Sequence, residues 1–460
     1  MRNKKVFVFG IDCFEPTLVF DEWRNELPNI SSLMNGGIYG KMESTLPPIT
    51  VPAWTSMMTS KDPGQLGFYG FRNRKSYDYE ELYFANGAYI KEKTIYQILS
   101  RNRLSSIVLS VPQSYPPKPL NGIMVGCFLT PDKKGVWTYP EEIGNEIDEI
   151  CDGDYIIDVK DFRTENKSDL LKQIYLMTER RFKAVRRWVK TKEWDFFIFV
   201  EMGVDRIHHA FWRYHDKNHR LYEKGHQFEF SIKDYYKYLD KEIGSVLNIL
   251  DENTTIMLVS DHGAQTMVGA ICVNEYFRKE GLLTLKDEPT GQKKFQTKDV
   301  DWLKTTCWGE GGYYARIFMN VEGREPQGII PKKDYEKVRD EIKERLENLG
   351  DENDNSIGTK VFKPEEVYRD VKNIPPDLIV YFGNLNWRSA GSVGGGKIHT
   401  FENDTGPDDA NHAQYGLFII NNSETKSEKR DDISIYDVTP TILKQFGIEK
   451  EDGMIGKIIE

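Results

Sequence analysis

Three short apolar runs, each ending in acids, constrain this chain more than any other feature. They are VFVFGID at 6–12, WDFFIFV at 194–200 followed by residues 201–205, and TTIMLV at 254–259 followed by Ser260, Asp261, His262 and Gly263. Such short apolar runs fit strands buried on both faces of a parallel sheet. Between them lie long amphipathic segments, 168–190 and 230–250, that read as helices. Alternation of strand and helix is the doubly wound α/β pattern, so the expected fold is a mostly parallel sheet flanked by helices. In an open sheet of this kind ligands gather outside the carboxyl ends of the strands. Asp12 sits at such an end, where an acid either ligates a metal or caps the next turn.

A chain of 460 residues exceeds one typical domain, so a core with an insertion is expected. The character of the sequence changes after Gly263. Gly-rich and Lys-rich loops appear, with a strand pair around 311–321, a helix at 332–349, a strand at 377–382, and a loop at 391–400 holding three consecutive glycines. We read 265–400 as an inserted α+β cap or substrate lobe, and 1–264 with 401–460 as the catalytic core. The core resumes with a strand at 415–420 and a helix at 435–446.

A net charge of −10 argues against stable nucleic-acid binding. No run of about 18 apolar residues occurs, so no membrane helix is expected. The apolar run at Val6–Phe9 is too short for a signal peptide. Five scattered cysteines, in no CxxC pair, fit reduced thiols and a cytoplasmic protein. The expected partner is a small molecule, and the oligomeric state is not legible.

The stretch LPPITVPAWTSMMTSKDPGQLGFYG, 46–70, carries a hydroxyl among prolines ahead of a short helix. Proline is favoured in the first helical turn, so Thr50 falls at or just before a helix N-terminus, where free N–H groups and the dipole favour phosphate. Thr50 there is either a helix cap or a nucleophile. Asp205 and His209 stand four apart, on one face if the segment is helical. Asp261 and His262 are adjacent and can split between two ions; His412 precedes a strand. Carboxylate with imidazole suits zinc, with manganese or iron as alternatives. Together with Thr50 these residues suffice for two divalent ions, which would hold the attacking and leaving oxygens of an in-line displacement.

The pieces FGIDCF, TLPPITVPAWTSMMTSKDPGQLGFYG, VDRIHH, SDHGA, NHAQYGLFII and YDVTPTILKQFGIEKEDGMIGK resemble the alkaline phosphatase superfamily, within it the type I phosphodiesterase/nucleotide pyrophosphatase branch. They occur in that family's order and span nearly the whole core. The resemblance implies a bimetal hydrolase with a phospho-threonine intermediate. It implies that Thr50 is the nucleophile and that Asp12, Thr50, Asp261 and His262 hold the activating metal. Asp205, His209 and His412 would hold the second, with His209 rather than His208 selected by the spacing. One departure stands out: where nucleotide pyrophosphatases carry an asparagine beside the phosphoryl oxygen, this chain has Phe71. Arg72, Asn73 or Arg74 would substitute, arginine being a good bidentate phosphate donor. The sulfatase pattern Cys/Ser-x-Pro-x-Arg is absent, and threonine at 50 argues against the cofactor-independent phosphoglycerate mutases.

TTCWGEGGYYARIFMNVEGREPQG, 305–328, resembles a segment of microbial members of the superfamily. It reads either as a substrate-facing wall or as a β-hairpin turning at GRE. Lys397 and His399 either reach a substrate phosphate or are solvated loop residues. The expected function is thus a metal-dependent phosphodiesterase or nucleotide pyrophosphatase on a nucleotide-like phosphate ester. A phosphomonoesterase or phosphotransferase is the alternative that Phe71 raises. A metal-binding sensor that lost catalysis is the reading from another class.

Overall fold

The strand Lys5–Ile11 is buried between two parallel neighbours, Phe196–Glu201 on one side and Thr254–Val259 on the other, in a computed structural model that describes residues 4–460. The apolar runs that mark these strands in the sequence are buried throughout, as strands covered on both faces must be. From one edge the main sheet runs Glu428–Lys429, Ile38–Glu43, Tyr415–Asn421, Thr254–Val259, Lys5–Ile11, Phe196–Glu201, Ser106–Leu109, Gly122–Val125, Thr138–Tyr139. Ile433–Ser434 pairs alongside Ile38–Glu43.

Register decides what meets at the edge of this sheet. Ile11 pairs with Glu201 and Gly10 with Val259, so Asp12, the turn after Glu201, and Asp261 arrive at one level. Tyr415–Asn421 runs antiparallel to Thr254–Val259 and therefore begins where its neighbour ends. His412, just ahead of it, reaches the same edge. Ile38–Glu43 is antiparallel in turn to Tyr415–Asn421, so it ends at that edge and delivers the Thr50 segment there. Helices Lys167–Thr191, Gly203–His215 and Ser231–Leu247 bury their apolar stripes in the core.

A second sheet of four antiparallel strands runs Cys307–Glu310, Ala315–Met319, Leu378–Tyr381, Lys360–Phe362. It has its own apolar cluster, in which Trp302, Trp308, Phe318, Ile342 and Leu346 take part. The hairpin expected to turn at GRE turns instead at Gly311–Tyr314, between its first two strands. Gly311 and Gly312 supply the flexible turn, and Gly312 has φ +151°. Gly323–Glu325 forms a later turn in which the Glu325 carboxylate accepts from the Val321 N–H. No helix among the described residues is long and apolar enough to cross a membrane.

Candidate active site

Thr50 opens the helix Thr50–Thr59, and Ile49, not Thr50, is the capping residue. The Ala53 N–H donates to the Ile49 carbonyl at 2.9 Å, and Pro52 has no N–H to give. That leaves the Thr50 and Val51 amides as the helix's unpaired donors, at its positive end. The Thr50 hydroxyl is not used as a cap: Oγ1 lies 3.3 Å from His262 Nε2.

His262 belongs to a buried trio with Asp12 and Asp261 whose ligand atoms lie within 4.8 Å of one another. One oxygen of each acid is fixed. The Trp54 indole N–H donates to Asp12 Oδ2 at 2.8 Å, and the Cys13 N–H donates to Asp261 Oδ1 at 3.3 Å. The other oxygens, Asp12 Oδ1 and Asp261 Oδ2, are buried and accept no hydrogen bond. A buried carboxylate oxygen without a donor is costly unless a cation satisfies it. Burial first, and then a neighbouring acid (Asp205 for Asp12, Asp12 for Asp261), pushes both carboxyls well above the ordinary range.

Asp205, His209 and His412 form a second trio with the same spread. Asp205 and His209 share a face of the helix Gly203–His215, with His209 Nε2 3.2 Å from Asp205 Oδ1. His209 Nε2 and His412 Nε2 are 3.3 Å apart. In all three histidines Nδ1 faces an oxygen acceptor: Asp408 Oδ1 at 2.7 Å for His209, the Pro48 carbonyl at 2.8 Å for His412, and the Gly263 carbonyl at 3.1 Å for His262. We assign a proton to Nδ1 in each from this network, so all three Nε2 atoms point into the site, that of His209 carrying a second proton that a bound cation would displace. Converging lone pairs and unpaired carboxylate oxygens are the donor set a divalent cation takes. Burial lowers His262 to about 4. Burial would lower His209 as well, but Asp408 and Asp205 outweigh it and raise it to about 10. The charge those acids offer a proton is equally available to a metal ion.

Thr50 and the second trio, Asp205, His209 and His412, line a cleft of about 640 Å³, and His262 of the first trio lies behind Thr50. The cleft wall carries Phe71, Phe84, Phe128 and Phe162, and Phe295, Tyr313 and Tyr314 from residues 265–400. Tyr313, at the hairpin turn, stacks on His209 with ring centroids 4.9 Å apart. Its hydroxyl donates to Asp408 Oδ2 at 3.1 Å, beside the Arg163 Nε donor at 3.0 Å.

Of the residues expected to contact substrate, Phe71 and Arg72 line this cleft and Arg74 and His399 do not. Arg74 is buried with Glu325 at 3.1 Å, between the rings of Tyr77, Trp308 and Phe318, because a guanidinium leaving water needs a carboxylate and π-faces. His399 holds the Gly350 carbonyl at 2.8 Å and, with Lys397, borders a different cavity. Asn73 is spent on its own turn, accepting from the Tyr69 N–H and donating to the Gly70 carbonyl. His208 faces away from both trios, 3.0 Å from the Tyr236 hydroxyl and 3.6 Å from Cys13 Sγ. Sequence reading passed over Asp408, Arg163, Asp158 and Arg206. The one signal was proximity, since Arg206 follows Asp205 and Asp408 lies four residues before His412.

No curated protein sequence matches this chain. Among solved structures, human ectonucleotide pyrophosphatase/phosphodiesterase 5 is similar with a TM-score of 0.57 at 12% identity, over 99% of this chain and 97% of that one. The murine protein 5 gives 0.58 at 12% identity over 99% and 98%. An inactive threonine-to-alanine variant of the murine protein in complex with AMP gives 0.57 at 12%, over 99% and 97%. At that identity the likeness speaks for the fold. The sequence model of the type I phosphodiesterase/nucleotide pyrophosphatase family matches residues 6–408, from the first strand to the acid that holds His209. A match of that extent makes the chain a member of the type I phosphodiesterase/nucleotide pyrophosphatase family, a phosphoric ester hydrolase.

Proposed function

We propose that the protein is a metal-dependent phosphodiesterase or nucleotide pyrophosphatase that works through a phosphorylated Thr50. The observation that carries this reading is the pair of buried Asp/His trios beside Thr50, whose hydroxyl lies 3.3 Å from His262 Nε2. Asp12, Thr50, Asp261 and His262 would hold one divalent ion, and Asp205, His209 and His412 the other. The donor set favours zinc, with manganese or iron acceptable. When bound, such ions lower the pKa of a hydroxyl and screen the charge of attacking and leaving oxygens.

The chain's own residues do the rest. The helix fixes Thr50 Oγ1 at its positive end, with the Thr50 and Val51 N–H groups free for a phosphoryl oxygen. Oγ1 gives its proton to solvent and bonds to phosphorus as the bond from phosphorus to the ester oxygen breaks on the far side, and that oxygen takes a proton from solvent. Water then opens the threonine–phosphorus bond and returns the hydroxyl. The aromatic walls suit a planar base, and the AMP held by the inactive murine neighbour supports a nucleotide-like substrate. Residues 265–400 would be the substrate cap, contributing Phe295, Tyr313 and Tyr314 to the cleft. Five free, buried thiols support the expected cytoplasmic, reducing setting.

The test is Thr50→Ala, assayed with bis-p-nitrophenyl phosphate after metal stripping and reloading, with bound metal measured in parallel. Loss of turnover at nearly unchanged metal content is expected. Substantial residual turnover would remove Thr50 as nucleophile.

A further inference from the structure

The cleft holds a buried cation that the catalytic scheme above does not use. Arg206 is 7% exposed, lines the same cleft as Thr50, and stands next to a proposed metal ligand. Its guanidinium is fixed on one edge by Asp158, with Nε donating to Oδ1 at 3.0 Å and Nη2 to Oδ2 at 2.6 Å. Nη1 donates to Asp205 Oδ2 at 2.5 Å. The rings of Phe162 and Phe128 lie 4.6 Å and 5.8 Å from its Cζ. Asp205, its Nη1 partner, belongs to the second trio.

A guanidinium has five N–H bonds. Three are taken by carboxylates, which leaves one on Nη1 and one on Nη2. With Nε and Nη2 both turned to Asp158, the second Nη2 N–H lies on the side of the fork away from that carboxylate, where an oxygen anion can accept it. Among the described residues, no other lysine or arginine lies within ion-pair distance of Asp205. Phe71 offers no donor, Arg74 is turned away to Glu325, and Arg72 lies at the exposed rim over Phe84.

Asp158 also fixes the charge balance. A bidentate arginine–aspartate pair is neutral overall, yet it keeps strong, oriented N–H donors. Such a pair can grip a phosphoryl oxygen without adding net positive charge, which suits a singly charged diester better than a doubly charged monoester.

We propose that Arg206 is a substrate-gripping residue, donating to a non-bridging oxygen of the scissile phosphoryl group, and that its neutralisation by Asp158 sets a preference for diesters over monoesters. This inference rests on the Thr50 reading and deepens it.

The experiment compares bis-p-nitrophenyl phosphate with p-nitrophenyl phosphate for the reloaded wild type, Arg206→Ala, Arg206→Lys and Asp158→Asn, with bound metal measured in each. Arg206→Ala is expected to lose about 10²–10³-fold in kcat/KM on the diester, as removal of one oriented donor does elsewhere, while keeping both ions. Arg206→Lys restores charge but not the fork and is expected to recover only a small part. Asp158→Asn frees the positive charge and is expected to raise the monoester-to-diester ratio at least tenfold. AMP binding to the Thr50→Ala protein by calorimetry is expected to weaken at least tenfold when Arg206→Ala is added.

Two results would overturn the inference. In one, the activity of Arg206→Ala falls only in proportion to lost metal, which would make Arg206 a prop for Asp205. In the other, the substrate ratio and AMP binding do not move. Either result with a dead Thr50→Ala enzyme sinks this inference alone, whereas an active Thr50→Ala enzyme sinks the parent reading.

Discussion

Replacing Asp408 by asparagine tests whether the second trio is built to hold a cation. Asp408 is fully buried, and its two oxygens serve three donors: His209 Nδ1–H at 2.7 Å, Arg163 Nε–H at 3.0 Å and the Tyr313 hydroxyl at 3.1 Å. An asparagine keeps one acceptor oxygen and puts an NH₂ where the other was. Whichever way the amide turns, one N–H group then faces an N–H group. The carboxylate also makes the His209 nitrogen a stronger ligand by drawing on its Nδ1 proton. Loss of such a partner typically weakens metal binding 10–100-fold. That corresponds to about 1.4–2.7 kcal/mol. It matches the cost of removing one charge-assisted hydrogen bond, about 1.5–3 kcal/mol. The assay is competitive titration of stripped protein with zinc against a chromophoric chelator, which resolves the two sites. The expected result is one site close to wild type and one weakened 10–100-fold. Two wild-type affinities would refute the argument that Asp408 positions His209 for a metal.

Gly10→Ala should damage the first trio from behind. Its Cβ would lie 2.7 Å from Trp54 Cη2 and 2.9 Å from the Phe199 backbone oxygen, so the indole that holds Asp12 must move. A loss of about 1–3 kcal/mol in stability is expected from the overpacking, together with weaker metal binding, read by denaturant melts and metal analysis. The stripped protein should lose stability as pH rises from 6.5 toward 10. His209 is raised from 6.5 to about 10, so its stabilising proton is present below 6.5 and lost on the way to 10. Reloading with zinc should flatten that slope in thermal melts, and an identical slope in both forms would contradict the account.

The strand pattern made the core readable because burial on both faces leaves no choice of residue. The run at 254–259 is a strand over those same residues, and the acids at 12 and 261 meet because parallel register leaves no alternative. Residues 265–400 were harder to read. The hairpin turn there fell at Gly311–Tyr314 rather than at GRE, since a turn in Gly-rich sequence is decided by which strand residues find partners across the sheet. Arg74 shows the same limit. An arginine beside a phosphate-binding turn is a fair substrate contact until Glu325, 251 residues away in sequence, supplies a closer carboxylate.

Arg206 and Asp408 make the complementary point. Each lies within four residues of an expected metal ligand, and neither was picked out, because their surroundings depend on partners that only the fold supplies. Asp158 reaches Arg206 from 48 residues away, and Asp408 reaches His209 from 199 away. Metal ligands are legible in sequence because three or four residue types at strand ends suffice for the chemistry. The residues proposed to orient those ligands and to grip the substrate are ordinary arginines and aspartates, of which this chain has many. What singles them out is burial with a particular opposite charge. The substrate preference therefore turns on pairings such as Arg206 with Asp158, and changing one partner should alter selectivity while the ligands stay in place.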